Sequence, residues 1–457
     1  MKRFVIIGGS DAGISAALRA KEMDSTIDMT MILADEYPNF SICGLPFFIS
    51  GEVKHWRNLA HRTREDIEAS GIRVLDKHLA ESIDPSAKTV LVRDLTGDQK
   101  ISLHYDKLLI GTGAVSARPP IEGCDLPGVF FLRWMDDSFA VKNFIEERQP
   151  KSIVIIGAGY IGLEMADAMR HLGLKVTVIE YFPSVLMTLD PSLGAIVCAE
   201  LESKGVEVNT AAAVKKIEKQ NDKLLVHGED GFEKICDMVL IATGSRPETA
   251  LARSAGIDTG IKAAISVNRR METNLPDIYA AGDCAETYHC LLEKNAYLPL
   301  GTTAHKQGRI AGENMAGGSR DYAGSLGTQS VKIFGLVAAR TGLKDDEARK
   351  EGFDPLSADL ETWDHKVYYP GAEKLHIRMT GDRKTGQLLG AQIVGAYGTE
   401  VSKRIDIVAA AIYHKMKVED LDHLDLSYTP PLSSPWDPVQ IAAQEWVKIS
   451  AKNNIGT

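Results

Sequence analysis

Two stretches of this chain run a short apolar strand into a glycine turn and then into a small-residue helix, a unit that leaves few folds open. The second stretch is complete: Ser152-Ile-Val-Ile-Ile-Gly157-Ala-Gly159-Tyr160-Ile-Gly162 reads as strand, G-x-G-x-x-G and helix start. Glycines there allow a tight turn and let the backbone approach a pyrophosphate, which the positive helix N-terminus attracts. Lys175-Val-Thr-Val-Ile-Glu180 follows and ends its strand in an acid. A carboxylate at that point takes a ribose hydroxyl and repels a 2′-phosphate, so Gly157, Gly159, Gly162 and Glu180 are expected to bind NADH in preference to NADPH. The first stretch, Phe4-Val-Ile-Ile-Gly8-Gly-Ser10-Asp-Ala-Gly13, carries Ser10 where a second glycine is usual. A small residue still admits a pyrophosphate, so Gly8, Ser10 and Gly13 are expected to form another dinucleotide turn. Its ribose acid is displaced: Leu33 stands near the usual place, with Asp35 the first choice and Glu36 the reserve.

Between the two units lies Asn39-Phe-Ser-Ile-Cys43-Gly-Leu-Pro46. Proline favours the first turn of a helix, so Pro46 predicts a helix starting immediately after the cysteine, its positive end favouring a thiolate at Cys43. The remaining cysteines (Cys124, Cys198, Cys236, Cys284 and Cys290) form no C-x-x-C pair and no zinc-site spacing. No metal site is expected, and a redox Cys43 must work alone or with a small-molecule sulfur. At 457 residues the chain is too long for one core. A net charge of −10 disfavours nucleic acid or an anionic membrane as the main partner. The first residues enter a strand with no apolar leader, and no apolar run is long enough to span a bilayer. A cytoplasmic protein with no membrane partner is expected.

Further strands end in small-residue turns: Leu108-Leu-Ile-Gly-Thr112-Gly113, Val239-Leu-Ile-Ala-Thr-Gly244 and Ile278-Tyr-Ala-Ala-Gly-Asp283. After about residue 324 short β-branched runs alternate with Ala-rich helical stretches such as Val401 to His414, an α+β pattern with no nucleotide loop. Two aromatic, proline-rich loops stand out there, Tyr368-Tyr369-Pro-Gly and Tyr428-Thr-Pro-Pro…Trp436-Asp-Pro.

In this order the motifs resemble the flavin- and pyridine-nucleotide-dependent disulfide reductases, over nearly the whole chain. The resemblance implies an α/β fold of glutathione-reductase type, with two Rossmann-like domains and a C-terminal α+β dimerisation domain. It divides the chain into FAD-binding 1–114, NAD(P)H-binding 115–244, FAD-binding again at 245–323, and dimerisation at 324–457. For FAD it implies Gly8, Ser10, Gly13, Asp35 or Glu36, Thr112, Gly113, Asp283, Thr302 and Thr303. For the nicotinamide nucleotide it implies Gly157, Gly159, Gly162, Glu180 and Gly244, with Tyr160 over the flavin and Glu164 near the ring. Having Cys43 and no second cysteine nearby, the chain is similar to the single-cysteine branch: coenzyme A-disulfide, persulfide and polysulfide reductases, NADH oxidases and NADH peroxidases.

Oxidases and peroxidases of that branch carry a histidine inside the first glycine loop, where this chain has Asp11. A carboxylate raises a neighbouring thiol's pKa and donates no hydrogen bond when ionised, so a sulfur substrate is expected ahead of peroxide or oxygen. In the disulfide and persulfide reductases a tyrosine before Pro-Gly (here Tyr368 or Tyr369) and Tyr428, reaching the partner subunit's site, complete a shared active site in a homodimer. Coenzyme A is an open candidate: Arg19, Lys21, Arg57, Arg62 and Arg64 offer charge, while Glu22 and Ile42 depart from the pattern of coenzyme A binders. The rival readings are an NADH oxidase and a reductase of a small electron-carrier protein.

Overall fold

A computed structural model of the chain describes residues 1–455. Its first layer is a five-stranded parallel sheet ordered Ile278–Ala280, Lys107–Ile110, Arg3–Ile7, Asp28–Ile32, Ile72–Leu75. The central strand is buried on both faces, with Phe4 and Ile6 at 0 % exposure, which is why it reads as a continuous apolar run. Helix Asp11–Met23 follows it and packs against helix Gly301–Met315 with almost no side chain between them. A Cβ on Gly308 would sit 2.2 Å from the Ala12 carbonyl oxygen, and one on Gly312 2.1 Å from that of Ala16. Two distant parts of the chain are thereby locked backbone to backbone.

The second layer repeats the plan. Its parallel sheet runs Val206–Asn209, Lys175–Ile179, Ser152–Ile156, Met238–Ile241, Val129–Phe131. The chain enters this unit through Ala114–Ser116 and leaves through Ser245–Pro247, and these two short strands pair antiparallel. Both crossings therefore lie side by side.

The C-terminal unit is a five-stranded antiparallel sheet ordered Gln329–Ile333, Leu336–Gly342, Leu388–Ala396, Lys374–Asp382, Pro355–Trp363. Helices Val401–Tyr413 and Pro438–Ile455 cover it. The α/β class with an α+β third unit agrees with the expected fold. Among the described residues no helix is long and apolar enough to cross a membrane.

Candidate active site

Both glycine turns are built by sterics. A Cβ on Gly8 (φ +102°) would meet the Gly111 carbonyl oxygen at 2.1 Å, and one on Gly13 the Gly8 oxygen at 1.8 Å. The second turn repeats this: Gly157 (φ +106°) would meet the Ala242 oxygen at 2.5 Å, and Gly162 the Gly157 oxygen at 2.0 Å. Ser10 and Gly159 are the equivalent N-cap residues, and both are extended, at φ −86° and −82°. Nothing lies within 4 Å of a Cβ placed on Gly159, so the departure at Ser10 is sterically free. Neither helix start carries a side-chain cap, leaving its first N–H groups for an anionic ligand.

The acids behind the turns differ. Glu180 is buried, and its carboxylate accepts from the Ala158 amide at 2.6 Å and the Phe182 amide at 2.9 Å, so it braces the glycine turn. In the first unit the position near which a ribose acid was sought is filled by buried Leu33, whose Cδ2 would lie 2.5 Å from a Cβ on Gly9. Asp35 is partly buried, accepts from the Tyr37 amide at 3.0 Å, and is held above the usual carboxylate range by that burial. Glu36 is exposed and paired with Lys77 at 2.7 Å.

Cys43 lies in the short turn Ile42–Gly44, immediately before helix Leu45–Ser50, in which Pro46 occupies the first turn. The helix thus starts two residues after the cysteine, where it was expected to follow directly. The thiolate expectation needs correction. Cys43 is reachable by solvent, yet enough protein surrounds it that burial pushes its thiol up, with Glu164, Asp11 and Asp283 adding to the rise. Arg133 opposes them. Desolvation and three carboxylates work against the thiolate that the helix end favours.

These four groups come from four separate segments, so Cys43 marks where the first glycine unit, the second glycine unit and the Ala-Gly-Asp turn converge. Glu164 is pushed up to about 7 by burial and by Asp167. Asp283 is ion-paired with Arg133 at 2.5 Å. Asp11 is bound by His305, whose Nε2 is 3.3 Å from Oδ1. Helix Gly301–Met315 thus brings a histidine to the acid of the first glycine loop. Neither His305 nor Arg133 stood out in the sequence, for both meet the site only through tertiary packing.

Asn39 is fully buried at φ +54° and donates its amide to the Gly9 carbonyl at 2.9 Å, tying the cysteine loop to the glycine turn. Asparagine tolerates that left-handed conformation better than most residues. Its Nδ2 has no hydrogen-bond partner among the described residues, and neither does Arg133 Nε. Two buried, unmatched donors beside a glycine turn that side chains would fill fit an acceptor-rich dinucleotide.

The other predicted residues are placed as follows. Thr112 donates to the Glu248 carbonyl at 2.6 Å, and Gly113 takes φ +69° and accepts from the Glu248 amide at 3.0 Å, at the crossing between the parallel-sheet units; Gly244 (φ +106°) immediately precedes the returning strand and accepts from the Ala117 amide at 2.9 Å. Tyr160 opens helix Tyr160–His171 and accepts from Thr188 at 3.3 Å. Thr302 is exposed, whereas Thr303 is buried and bonded to Ser325 at 3.3 Å; both border a cavity of about 410 Å³ that Lys306, Arg309 and Arg320 also line. Tyr368 and Tyr428 come together, and the nearby Tyr428 phenol raises that of Tyr368. Tyr369 instead packs edge-on against His365 at 5.9 Å. Buried Arg404 holds both tyrosine loops, donating to the Asp364 carbonyl at 2.8 Å, to that of Leu432 at 3.3 Å and to the Asp437 carboxylate at 3.3 Å. Tyr368, Tyr428, Leu432 and Trp436 are all exposed, an apolar surface of the kind that protein contacts cover.

Of the cations considered for coenzyme A, Arg19 is committed to Glu313 and Glu22, Lys21 to two backbone carbonyls, and Arg64 to Glu68 and Asp76. Arg57, stacked on Trp56 at 4.5 Å, and Arg62, near the Asn39 side chain at 3.4 Å, have no acidic partner among the described residues.

Two dinucleotide turns converging on one accessible cysteine, with an antiparallel third unit, define a two-nucleotide redox enzyme. Residues 2–308 match the family model for pyridine nucleotide-disulphide oxidoreductases, and 328–438 the dimerisation domain of that family. The chain belongs to this FAD- and NAD(P)H-dependent family. It is 36% identical to an NAD(P)H sulfur oxidoreductase (CoA-dependent) of Pyrococcus furiosus, covering 97% of this chain and 98% of that protein. It is 34% identical to an NADH oxidase of Methanocaldococcus jannaschii, over 98% of this chain and 99% of the other. The solved structure of an NAD-dependent persulfide reductase from A. fulgidus superposes with a TM-score of 0.94 at 36% identity, covering 99% of this chain and 84% of that one.

Proposed function

We propose that the protein is an FAD-dependent NADH oxidoreductase that reduces a low-molecular-weight disulfide, persulfide or polysulfide through Cys43. The observation that carries this reading is one reachable cysteine at the convergence of both glycine turns, ringed by Glu164, Asp11, Asp283 and Arg133. The Pyrococcus furiosus and A. fulgidus relatives support the sulfur substrate.

FAD would be held by Gly8, Ser10, Gly13, Asp35 with Glu36 in reserve, Thr112, Gly113, Asp283, Thr302 and Thr303. NADH would be held by Gly157, Gly159, Tyr160, Gly162, Glu164, Glu180 and Gly244; the carboxylate of Glu180 supports NADH over NADPH. When bound, FAD takes a hydride from NADH and supplies the electron pair for sulfur reduction. The protein's own part is at Cys43. Its Sγ, once the thiol proton has gone to solvent, attacks one sulfur of the substrate; a new S–S bond forms as the substrate's own S–S bond breaks, and the other sulfur leaves as a thiolate. A field that penalises the free thiolate favours this uncharged, sulfur-bonded form of Cys43. The phenols of Tyr428 and Tyr368, at the site of the partner subunit in a homodimer, donate a proton to the leaving sulfur. Coenzyme A as the carrier of that sulfur is supported by the unpaired charges of Arg57 and Arg62. Such a thiol-dependent enzyme works in the reducing cytoplasm.

A second reading, an NADH oxidase, has one observation in its favour: His305 stands at Asp11. The test is Cys43→Ser in FAD-loaded protein, following NADH oxidation with coenzyme A disulfide, with polysulfide and with oxygen alone. Loss of sulfur-compound reduction by about a hundredfold or more is expected, a scale common for removal of a covalent catalyst. Reduction at the wild-type rate would sink the proposal. Loss confined to oxygen consumption would favour the oxidase.

A further inference from the structure

The three carboxylates that bear on Cys43 are held differently. Glu164 rises on burial, Asp283 is paired with Arg133, and Asp11 is paired with His305. His305 bridges two positions on helix Asp11–Met23: Nε2 lies 3.3 Å from Asp11 Oδ1, and Nδ1 lies 2.8 Å from Ser15 Oγ. Asp11 and Ser15 are one turn apart, so the ring lies along one face of that helix. The backbone contacts at Gly308 and Gly312 fix the two helices together, so the ring is held on that face.

We infer that His305 is a positioning residue for the redox cysteine, acting through Asp11. A protonated imidazole cancels the charge of Asp11 and lets the Cys43 thiolate form; a neutral ring releases that charge and favours the thiol. The groups facing His305 are Asp11 and Ser15 from the neighbouring helix and Arg62 from the loop beyond. The hydrogen bond to Asp11 holds the imidazole above its ordinary 6.5, and Arg62 works against it. Cys43 itself faces Glu164, Asp11, Asp283 and Arg133. Glu164 is itself pushed up to about 7, so the paired variants, not the pH alone, isolate the effect of His305. The inference rests on Cys43 being the redox thiol but on no particular substrate, and acid–base coupling is read without turnover, so it fails separately from the functional reading.

The experiment is a double-variant cycle on FAD-loaded, thiol-reduced protein: wild type, His305→Gln, Asp11→Asn and both together. The rate of iodoacetamide alkylation at Cys43, followed by peptide mass spectrometry across pH, gives the apparent pKa of that thiol. Asp11→Asn should lower it. His305→Gln should slow alkylation by about threefold at pH values where the imidazole is protonated, should leave the rate unchanged well above that range, and should do nothing once Asp11 is asparagine. FAD content equal to wild type is the folding control. Should His305→Gln fail to hold FAD, Ser15→Ala carries the test, with a smaller shift in the same direction. The inference is overturned if His305→Gln leaves the thiol unmoved, if it shifts the thiol equally in both backgrounds, or if Asp11→Asn does not lower it.

Discussion

Glu164 offers the sharpest quantitative test. Burial and Asp167 push its carboxyl from the ordinary 4.5 up to about 7, so the folded protein holds a proton there that the unfolded chain has released. Stability is therefore undiminished below about pH 4.5 and falls as pH rises toward 7, reaching its full penalty above that. At about 1.36 kcal/mol per pH unit the ceiling is ~3 kcal/mol, and the partial exposure of the side chain brings the expectation to about 2 kcal/mol. Glu164→Gln keeps the shape and removes the titration. Its melting temperature should match wild type at pH 5 and exceed it by a few degrees at pH 8, a shift suited to such an energy in a domain of this size. Thermal unfolding of the FAD-loaded protein from pH 5 to 8 reads this directly. A difference that is constant across that range would refute the attribution to Glu164. The same substitution removes a carboxylate that raises Cys43, so it should also lower the apparent pKa of that thiol.

Two further outcomes follow from packing. Gly162→Ala places a Cβ 2.0 Å from the Gly157 carbonyl oxygen and should weaken NADH binding by about tenfold or more, measured as flavin reduction under stopped flow, with FAD content unchanged. Arg404→Met leaves the buried Asp437 carboxylate without its cation and the Asp364 carbonyl without this donor, and should destabilise the C-terminal unit by about 3 kcal/mol. Its dimer should dissociate at lower urea concentration in sedimentation, whereas unchanged dissociation would mean that Arg404 does not hold the tyrosine loops.

The glycine turns were legible because only glycine fits where one backbone meets another, as Gly8 does at Gly111 and Gly157 at Ala242. Cys43 was legible because it stands alone beside a proline-led turn. Its charge state was not. The groups that set it, Asp11, Glu164, Asp283 and Arg133, are far apart in the chain, and no local pattern records that they meet. The helix-end expectation weighed a local dipole and had no view of desolvation. Asp11 likewise read as a lone acid because its partner, His305, arrives from a helix near residue 300. The stripe of Gly308 and Gly312 was the available signal, since spaced glycines on a helix mark a close neighbour. Tyr368 could not be told from Tyr369 by spacing, and only the fold separates the one beside Tyr428 from the one packed on His365.

The paired crossings at Ala114–Ser116 and Ser245–Pro247 also set an order of assembly. On the ribosome, residues of the first parallel sheet emerge first, but its edge strand Ile278–Ala280 and the helix Gly301–Met315 that clamps the first glycine turn come only after the whole middle unit. The unit that starts second is therefore complete while the one that starts first is still open at one edge. Its neighbouring ends let it close as an independent body without waiting. An arrest of synthesis before residue 278 would leave the middle unit closed beside a first sheet that still lacks its edge strand and its clamping helix.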